Sequence, residues 1–430
     1  MSNYSLVRPG LTTAIIGHLP AIKLRLRRKV PQLTFQDVRR ARIPFYEALA
    51  SELYEAGYTN AAFLLLQLIE YEHDHVPSTS DQTIEDKRLK NSKSLLNFLF
   101  QSLRETEGYK INQQYDTEVE SLLTIGQSFE NDKHKHWIAR QFFLISLDRC
   151  EACCLGEDRV AALANYYYGR FLTANGQLEE ALKVLEAAKK LCSTQSWPLE
   201  QSKNIRGSQL LISVILEQLF IVYSKLSEKY RKTDLEKFEL YMQLSHEVAV
   251  DSKLEHVLCD SYLNYGDFLL TKGEHREALN CYKESSKRAR IIYSFDKVCK
   301  TKIRMAAAHR SLNELKECEH LLQSADKLTE HNRMTECYAE QKLLTGEINF
   351  GNGHLAEATK DFQTARAVYQ NLAKGDKMIL ASSFGALASA GIHFGKFVGL
   401  VRQTDFHGRL SDNKTLFKLL RWSVDGIALW

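Results

Sequence analysis

Residues 162–191 read ALANYYYGRFLTANGQLEEALKVLEAAKKL, and this stretch decides the fold. Apolar side chains recur at helical spacing on both sides of Asn175–Gly176, so the stretch holds two amphipathic helices joined by a turn. Gly169 lies in the first helix, where a small residue lets the second pack closely. Gly176 ends the first helix, where a left-handed conformation costs glycine little. Ala181 and Ala188 stand seven residues apart on the second helix and keep the contact between the two thin.

The same small-residue skeleton recurs downstream. Gly266, Gly273 and Ala278 in SYLNYGDFLLTKGEHREALNCY keep the spacing of Gly169, Gly176 and Ala181. Gly346, Gly353 and Ala358 in KLLTGEINFGNGHLAEATKDF do so again, with Ala365 closing the set. A weaker copy carries Ala306, Asn313, Cys318 and Ala325, and another carries Leu226 and Phe238. The register positions Leu226, Gly266, Ala306 and Gly346 are 40 residues apart each time. The interval from Gly169 to Leu226 is 57, so an insertion of 17 residues is expected, placed near 194–207 where Trp197, Pro198 and Gly207 interrupt the pattern.

Upstream, Phe45–Ala56, Gly57 and Ala61–Glu70 read as a helix–turn–helix of the same kind, with Gly57 and Ala62 in the turn-glycine and alanine places. A polar loop is expected over Val76–Glu85, then helices near 91–105, 116–128 and 134–155. At the far end 376–401 reads as helix, and 413–424 as a terminal helix capping the array through Leu416, Leu419, Leu420 and Trp422. The expected organisation is a basic, extended arm (1–36), degenerate helical repeats (37–155), a repeat array (156–402) and a capping segment (403–430).

Composition agrees with a folded helical chain. Apolar residues make up 44% and charged residues 26%, outside the range of disordered chains. After Pro198 there is no proline, which suits continuous helix pairs because a proline inside a helix costs roughly 3 kcal/mol. No run of 18 uninterrupted apolar residues is present, so no membrane span is expected, and the N-terminus has no secretory signal pattern. The nine cysteines are an odd number spread thinly, which reads as reduced thiols in the cytoplasm. Cys150, Cys153 and Cys154 share a helix face that could hold a metal, but no second ligand pair stands nearby and buried free thiols are the expectation.

The net charge of +4 is concentrated at one end. Arg8, Lys23, Arg25, Arg27, Arg28 and Lys29 fall in an acid-free leader, which leaves 51 basic residues against 53 acidic ones elsewhere. This arm reads as an organellar transit peptide, as a solvated tail, or as a contact to an acidic polymer such as the microtubule surface. Nucleic-acid binding would need a basic face with stacking aromatics, and the repeat region is slightly acidic. No phosphate loop, nucleophile elbow, metalloprotease helix or dinucleotide fingerprint is found, so no enzyme and no cofactor are expected. The close pairs His73 with His75 and His134 with His136 have the wrong spacing for one helix face and read as solvated loop.

The small-residue register resembles the tetratricopeptide repeat, which has Gly or Ala at its eighth position and Ala at its twentieth and twenty-seventh. The resemblance implies an all-α, right-handed superhelical solenoid of helix pairs with a protein-binding groove. A period of 40 against the usual 34 calls for helices a turn longer or for larger loops. By resemblance the groove-facing positions are Tyr166, Arg170, Asp260, Leu263, Asp267, Lys300, Ile303, Glu340, Leu343 and Glu347. They lack the Lys, Asn and Arg set with which some family members clamp the acidic tails of chaperones.

From about Phe45 onward the chain also resembles a ciliary tetratricopeptide-repeat family. The likeness rests on order: Leu53–Glu70, a helix around Trp137, Phe142 and Cys150, the repeat with Tyr168, Gly169, Gly176, Gln177, Leu178 and Ala181, the Trp197 insertion, the later repeats, and a terminal helix near Trp422. It implies an axonemal scaffold of motile cilia and sperm flagella, with dynein, intraflagellar-transport or microtubule-associated partners. The alternative is a general cytosolic adaptor of the motor–cargo or spindle-orientation kind.

Overall fold

The computed structural model describes residues 34–75, 88–152, 158–193, 197–198, 210–332, 334–404 and 413–425, and side chains are described in all of these but 330–332 and 423–425. These residues form helices and no strand. The basic arm residues Arg8 to Lys29, the loop expected at 76–85, Cys153 with Cys154, and nearly all of the insertion at 194–207 lie outside the described residues. The chain divides into two compact units, the first ending at Phe171 and the second beginning at Leu172.

The first unit contains α1 (Phe35–Arg42), α2 (Phe45–Glu55), α3 (Thr59–His75), a short 3-10 helix (Leu89–Asn91), α4 (Lys93–Ile111), α5 (Tyr115–Phe129) and α6 (His136–Ala152). It also holds most of α7 (Asp158–Ala174). Thr34 and Asp37 bond reciprocally as a capping box, so α1 starts at Phe35, inside the stretch read as an extended arm. Arg39 and Arg40 then fork onto Glu55 and Glu52 of α2 at 2.6–2.8 Å. The α2–α3 turn is made by Gly57 at φ 89°, as its sequence position implies. The N-terminus of α3 is capped from another helix: the buried carboxylate of Glu107 accepts from the backbone N–H of Asn60 at 3.1 Å and of Ala61 at 2.7 Å.

Three of the four paired histidines are in helices, and only His134 lies in the expected loop, in the turn before α6. His73 and His75 end α3, where the His75 ring stacks on Tyr71 with centroids 4.1 Å apart. His136 opens α6 and meets Phe171 edge-on. Sequence spacing alone hides this, because α3 runs five residues beyond the expected end at Glu70.

The second unit continues with α8 (Leu178–Leu191), α9 (Leu211–Tyr230), α10 (Leu235–Ser252), α11 (Glu255–Lys272) and α12 (His275–Ile291). Then come α13 (Phe295–Ser311), α14 (Leu315–Asn332), α15 (Thr335–Gly351), α16 (Leu355–Asn371), α17 (Gly375–Gln403) and α18 (Lys414–Asp425). Helices α11 to α16 are 17 or 18 residues long with short turns between them, so the 40-residue period arises from longer helices and not from larger loops. Gly273, Asn313 and Gly353 take positive φ (85°, 62° and 81°) in the turn inside each pair. Lys253, Tyr293 and Ala373 do so in the turns between pairs.

Packing inside each pair follows one rule of small against large. A Cβ on Gly266 would sit 2.6 Å from the Tyr282 ring, and one on Gly346 would sit 2.8 Å from the Phe362 ring. Where the register residue is Ala306, the facing place sixteen residues on is the smaller Leu322, in the same core cluster. Ala278, Ala358, Ala365, Ala325 and Cys318 are fully buried, so a thiol fills the alanine place of the weaker copy.

The end of the array departs from expectation in two ways. Trp422 touches Phe397, but Leu420 and Trp422 remain 41% and 44% exposed, so α18 caps the stack only in part. In addition, α17 is 29 residues long and, by length and composition, apolar enough to cross a membrane. Its apolar residues are interrupted by Ser, Gly and His, which conceals it from a search for unbroken apolar runs. Lys377 ties its first turn to Glu340 at 2.5 Å, and Gly391 lies against Leu355 of α16, so the helix is integrated in the stack.

Candidate functional site

In the second unit the first helix of each pair aligns with the first helix of the next, and their polar faces are laced together. Asp260 pairs with Lys297 at 2.6 Å, Asp267 with Arg304 at 3.3 Å, Arg310 with Glu347, and Glu340 with Lys377 at 2.5 Å. Each pair spans 37 residues, three short of the period, which is one turn of tilt between neighbouring helices. The spacing of opposite charges was readable in the sequence, and it is the signal by which Lys297, Arg304, Arg310 and Lys377 could have been found.

The expected groove residues therefore divide into three groups. Asp260, Asp267, Glu340 and Glu347 form rungs between helices, while Lys300 pairs with Asp296 within α13 at 2.9 Å. In the first unit Arg170 forks onto Glu130 at 2.6 and 3.2 Å, with its guanidinium over Tyr167, so it bridges α7 to the end of α5. Tyr166 and Ile303 are each 3% exposed, and Leu343 packs beside the clusters of α15–α17. These three are packing residues, and so is Leu263, which lies against the cluster of Phe268 and Tyr282, because the aromatic and aliphatic positions of the first helix turn toward the neighbouring pair.

One cavity opens on the laced face of the second unit. It is about 400 Å³ and is walled by α9, α10, α11 and α13. Phe238, Met242 and Phe268 supply apolar surface; Asn264, Arg231 and the Asp267–Arg304 pair supply polar groups. Asp267 also accepts a hydrogen bond from the Tyr282 hydroxyl at 2.7 Å. Burial pushes the Asp267 carboxyl above its ordinary range, against the pull of Arg304 and Tyr282. Burial works against the charge of Arg304, yet Asp267 and Glu340 outweigh it and hold the guanidinium charged. An apolar floor beside fixed, already paired charges suits a protruding side chain of a protein partner.

The first unit has a cavity of its own, about 490 Å³, lined by residues including Phe63, Gln67, Ile145 and Glu118. Glu118 is 4% exposed, lies 3.6 Å from Arg149, and is pushed upward in pKa by burial. Sequence reading missed both cavities, since neither follows from a periodic position in one helix. Among the described residues no group of three or more His, Cys, Asp or Glu side chains could hold a metal ion.

No family profile matches the chain, and no curated protein matches it. Solved structures do. BtubC from P. vanneervenii is 14% identical with a TM-score of 0.39, over 54% of this chain and 90% of that one. Aspartyl phosphate phosphatase F from Bacillus subtilis is 9% identical with a TM-score of 0.39, over 84% and 95%. A signal-transduction ATPase with a tetratricopeptide-repeat sensor from Pyrococcus horikoshii is 13% identical with a TM-score of 0.40, over 84% and 56%. At these values the repeat assignment rests on the chain's own period and packing.

Proposed function

We propose that this chain is a non-enzymatic protein-binding scaffold of motile cilia or sperm flagella, supporting axonemal dynein assembly or intraflagellar transport and hence flagellar beating. The scaffold part of this reading is carried by the laced helix face with its cavity between α9 and α13: a rigid wall of paired charges around an apolar depression. The ciliary part is supported by the ordered likeness to the axonemal repeat family, from the Leu53–Glu70 pair to the helix ending near Trp422. On this reading the protein resides in the cytoplasm and cytoskeleton, and the basic arm Arg8–Lys29 adds a contact to the acidic microtubule surface.

The test is to express a tagged copy in flagellated cells and to identify co-purifying proteins with and without Asn264→Arg. Asn264 is exposed on the cavity wall, so the arginine fills the mouth without entering the core. Axonemal signal, dynein or transport partners, and their loss in the variant at an unchanged melting midpoint are expected. Diffuse cytosolic signal with motor–cargo or spindle partners would replace the ciliary reading by the general adaptor. Partners unaffected by Asn264→Arg would move the binding face elsewhere.

A further inference from the structure

We infer that Cys299 and Cys337 form a reversible oxidation site, a thiol pair that hydrogen peroxide closes to a disulfide between α13 and α15. The pair lies in the core of the stack and does not depend on which partner the scaffold holds. Cys299 of α13 and Cys337 of α15 are both fully buried and belong to one core cluster. Cys337 donates to Oδ1 of Asp296 at 3.2 Å, and Asp296 lies three residues before Cys299 on the same face of α13. The Cys337 sulfur is thereby held against the turn that carries Cys299.

The array contains its own comparison. Cys259 stands forty residues before Cys299, in the same place of the preceding repeat, and is equally buried. Cys259 lies 3.5 Å from the carbonyl oxygen of Ser285, and Cys299 lies 4.0 Å from that of Ala325, each 26 residues on. The two differ in what stands 38 residues on, Lys297 in one case and Cys337 in the other. Burial pushes the Cys259 thiol up, as it does any thiol in an apolar core. Cys299 goes the other way, because the Cys337 thiol donates to it and holds it below its ordinary value in spite of burial. Cys337 is held up in turn, by Cys299 first and by burial second, so Cys299 is the sulfur that ionises and Cys337 the one that keeps its hydrogen. Buried thiols are ordinarily inert, and this pair is set apart by one sulfur that ionises with a second beside it. Cys318 shares the cluster but stands out of reach, seven residues before Ala325 and so about 10 Å away along α14.

The chemistry needs hydrogen peroxide and nothing else. The Cys299 thiolate attacks one peroxide oxygen; a sulfur–oxygen bond forms, the oxygen–oxygen bond breaks, and hydroxide leaves to take up the proton that Cys299 released. Sulfur is thereby oxidised to sulfenic acid and the peroxide is reduced. The Cys337 sulfur then attacks that of Cys299; the sulfur–sulfur bond forms, the sulfur–oxygen bond breaks, and the departing hydroxide leaves with the Cys337 proton as water. Two thiols and one peroxide give one disulfide and two waters. Both sulfurs are covered, so the oxidant must be small and must enter on local opening of the stack. The new bond ties the pair α13–α14 to the pair α15–α16, and a thiol reductant returns the free thiols.

Peptide mapping by mass spectrometry tests this on the full chain, treated with hydrogen peroxide, quenched with catalase and alkylated before digestion. A peptide pair joining Cys299 to Cys337 and released by dithiothreitol is expected, with Cys259 and Cys318 still alkylated and helical content unchanged. Hydrogen exchange in α13 and α15 should slow in the oxidised chain and recover on reduction. In Cys337→Ala the sulfenic acid of Cys299 has no thiol to resolve it and should be trapped by dimedone. Should that variant fold poorly, the map of the unsubstituted chain decides alone. Both thiols left free in peroxide, disulfides at Cys259 or Cys318 as abundant as the Cys299–Cys337 bond, or a bond that forms only once helical content is lost would each overturn it.

Discussion

Gly266 has no side chain because Tyr282 occupies the space one would need, and the tyrosine is itself fully buried. A methyl group added there must displace a ring held by Asp267, so Gly266→Ala should destabilise the fold by about 1–3 kcal/mol in chemical denaturation. The array already contains the compensated version, Ala306 with Leu322 in one cluster. Gly266→Ala with Tyr282→Leu should therefore lose less than the two single substitutions summed, and strict additivity would refute the steric account. The glycine and alanine register was legible because small residues at a fixed period leave a mark in any sequence. The partner rings were not, because Tyr282 and Phe362 look like any apolar residue until the second helix is laid against the first.

At the scale of the helix, ends decide more than middles. The first turn of α3 has its orphan N–H groups satisfied by Glu107, a residue of α4 more than forty positions away. Glu107→Ala should leave those donors buried without a partner and lower stability by about 1–3 kcal/mol, with hydrogen exchange rising first at Asn60 and Ala61. An unaltered exchange pattern there would mean that the first turn is capped by other groups. The turns between pairs show the same dependence on context. Lys253, Tyr293 and Ala373 adopt left-handed backbone without glycine, because tight helix succession fixes the geometry and the side chain must comply. That positional rule has no residue signature, so the sequence marked the glycine turns inside the pairs and left these unmarked.

For the molecule as a whole, the charges set how it should respond to acid. Hydrogen bonds from Lys374 and Lys377 hold Glu336 at about 2, below the ordinary 4.5. A depressed carboxylate contributes stability that is present above the unfolded value and is lost as pH falls toward the folded one, so this latch weakens between about 4.5 and about 2. Asp267 has the opposite sign, since burial raises it and protonation relieves a cost. Lowering the pH to about 3 should therefore speed hydrogen exchange in α17 while α11 and α13 stay protected. Uniform loosening of the array, or loss of α11 before α17, would contradict this distribution.

The sequence by itself determined that this chain is helical, that its helices come in pairs with a 40-residue period, and which small residues sit at their contacts. It could do so because close approach of two helices constrains side-chain volume at fixed intervals, and volume is a property of a residue type. Tertiary structure alone decided which polar residues remain for a partner. Asp260, Asp267, Glu340 and Glu347 look like free groove charges in a linear reading, and the stack binds each to a cation 37 residues away. It also decided that Ile379, Leu387 and Phe394 of α17 stand exposed, because exposure depends on what lies beside a helix and not on what the helix contains.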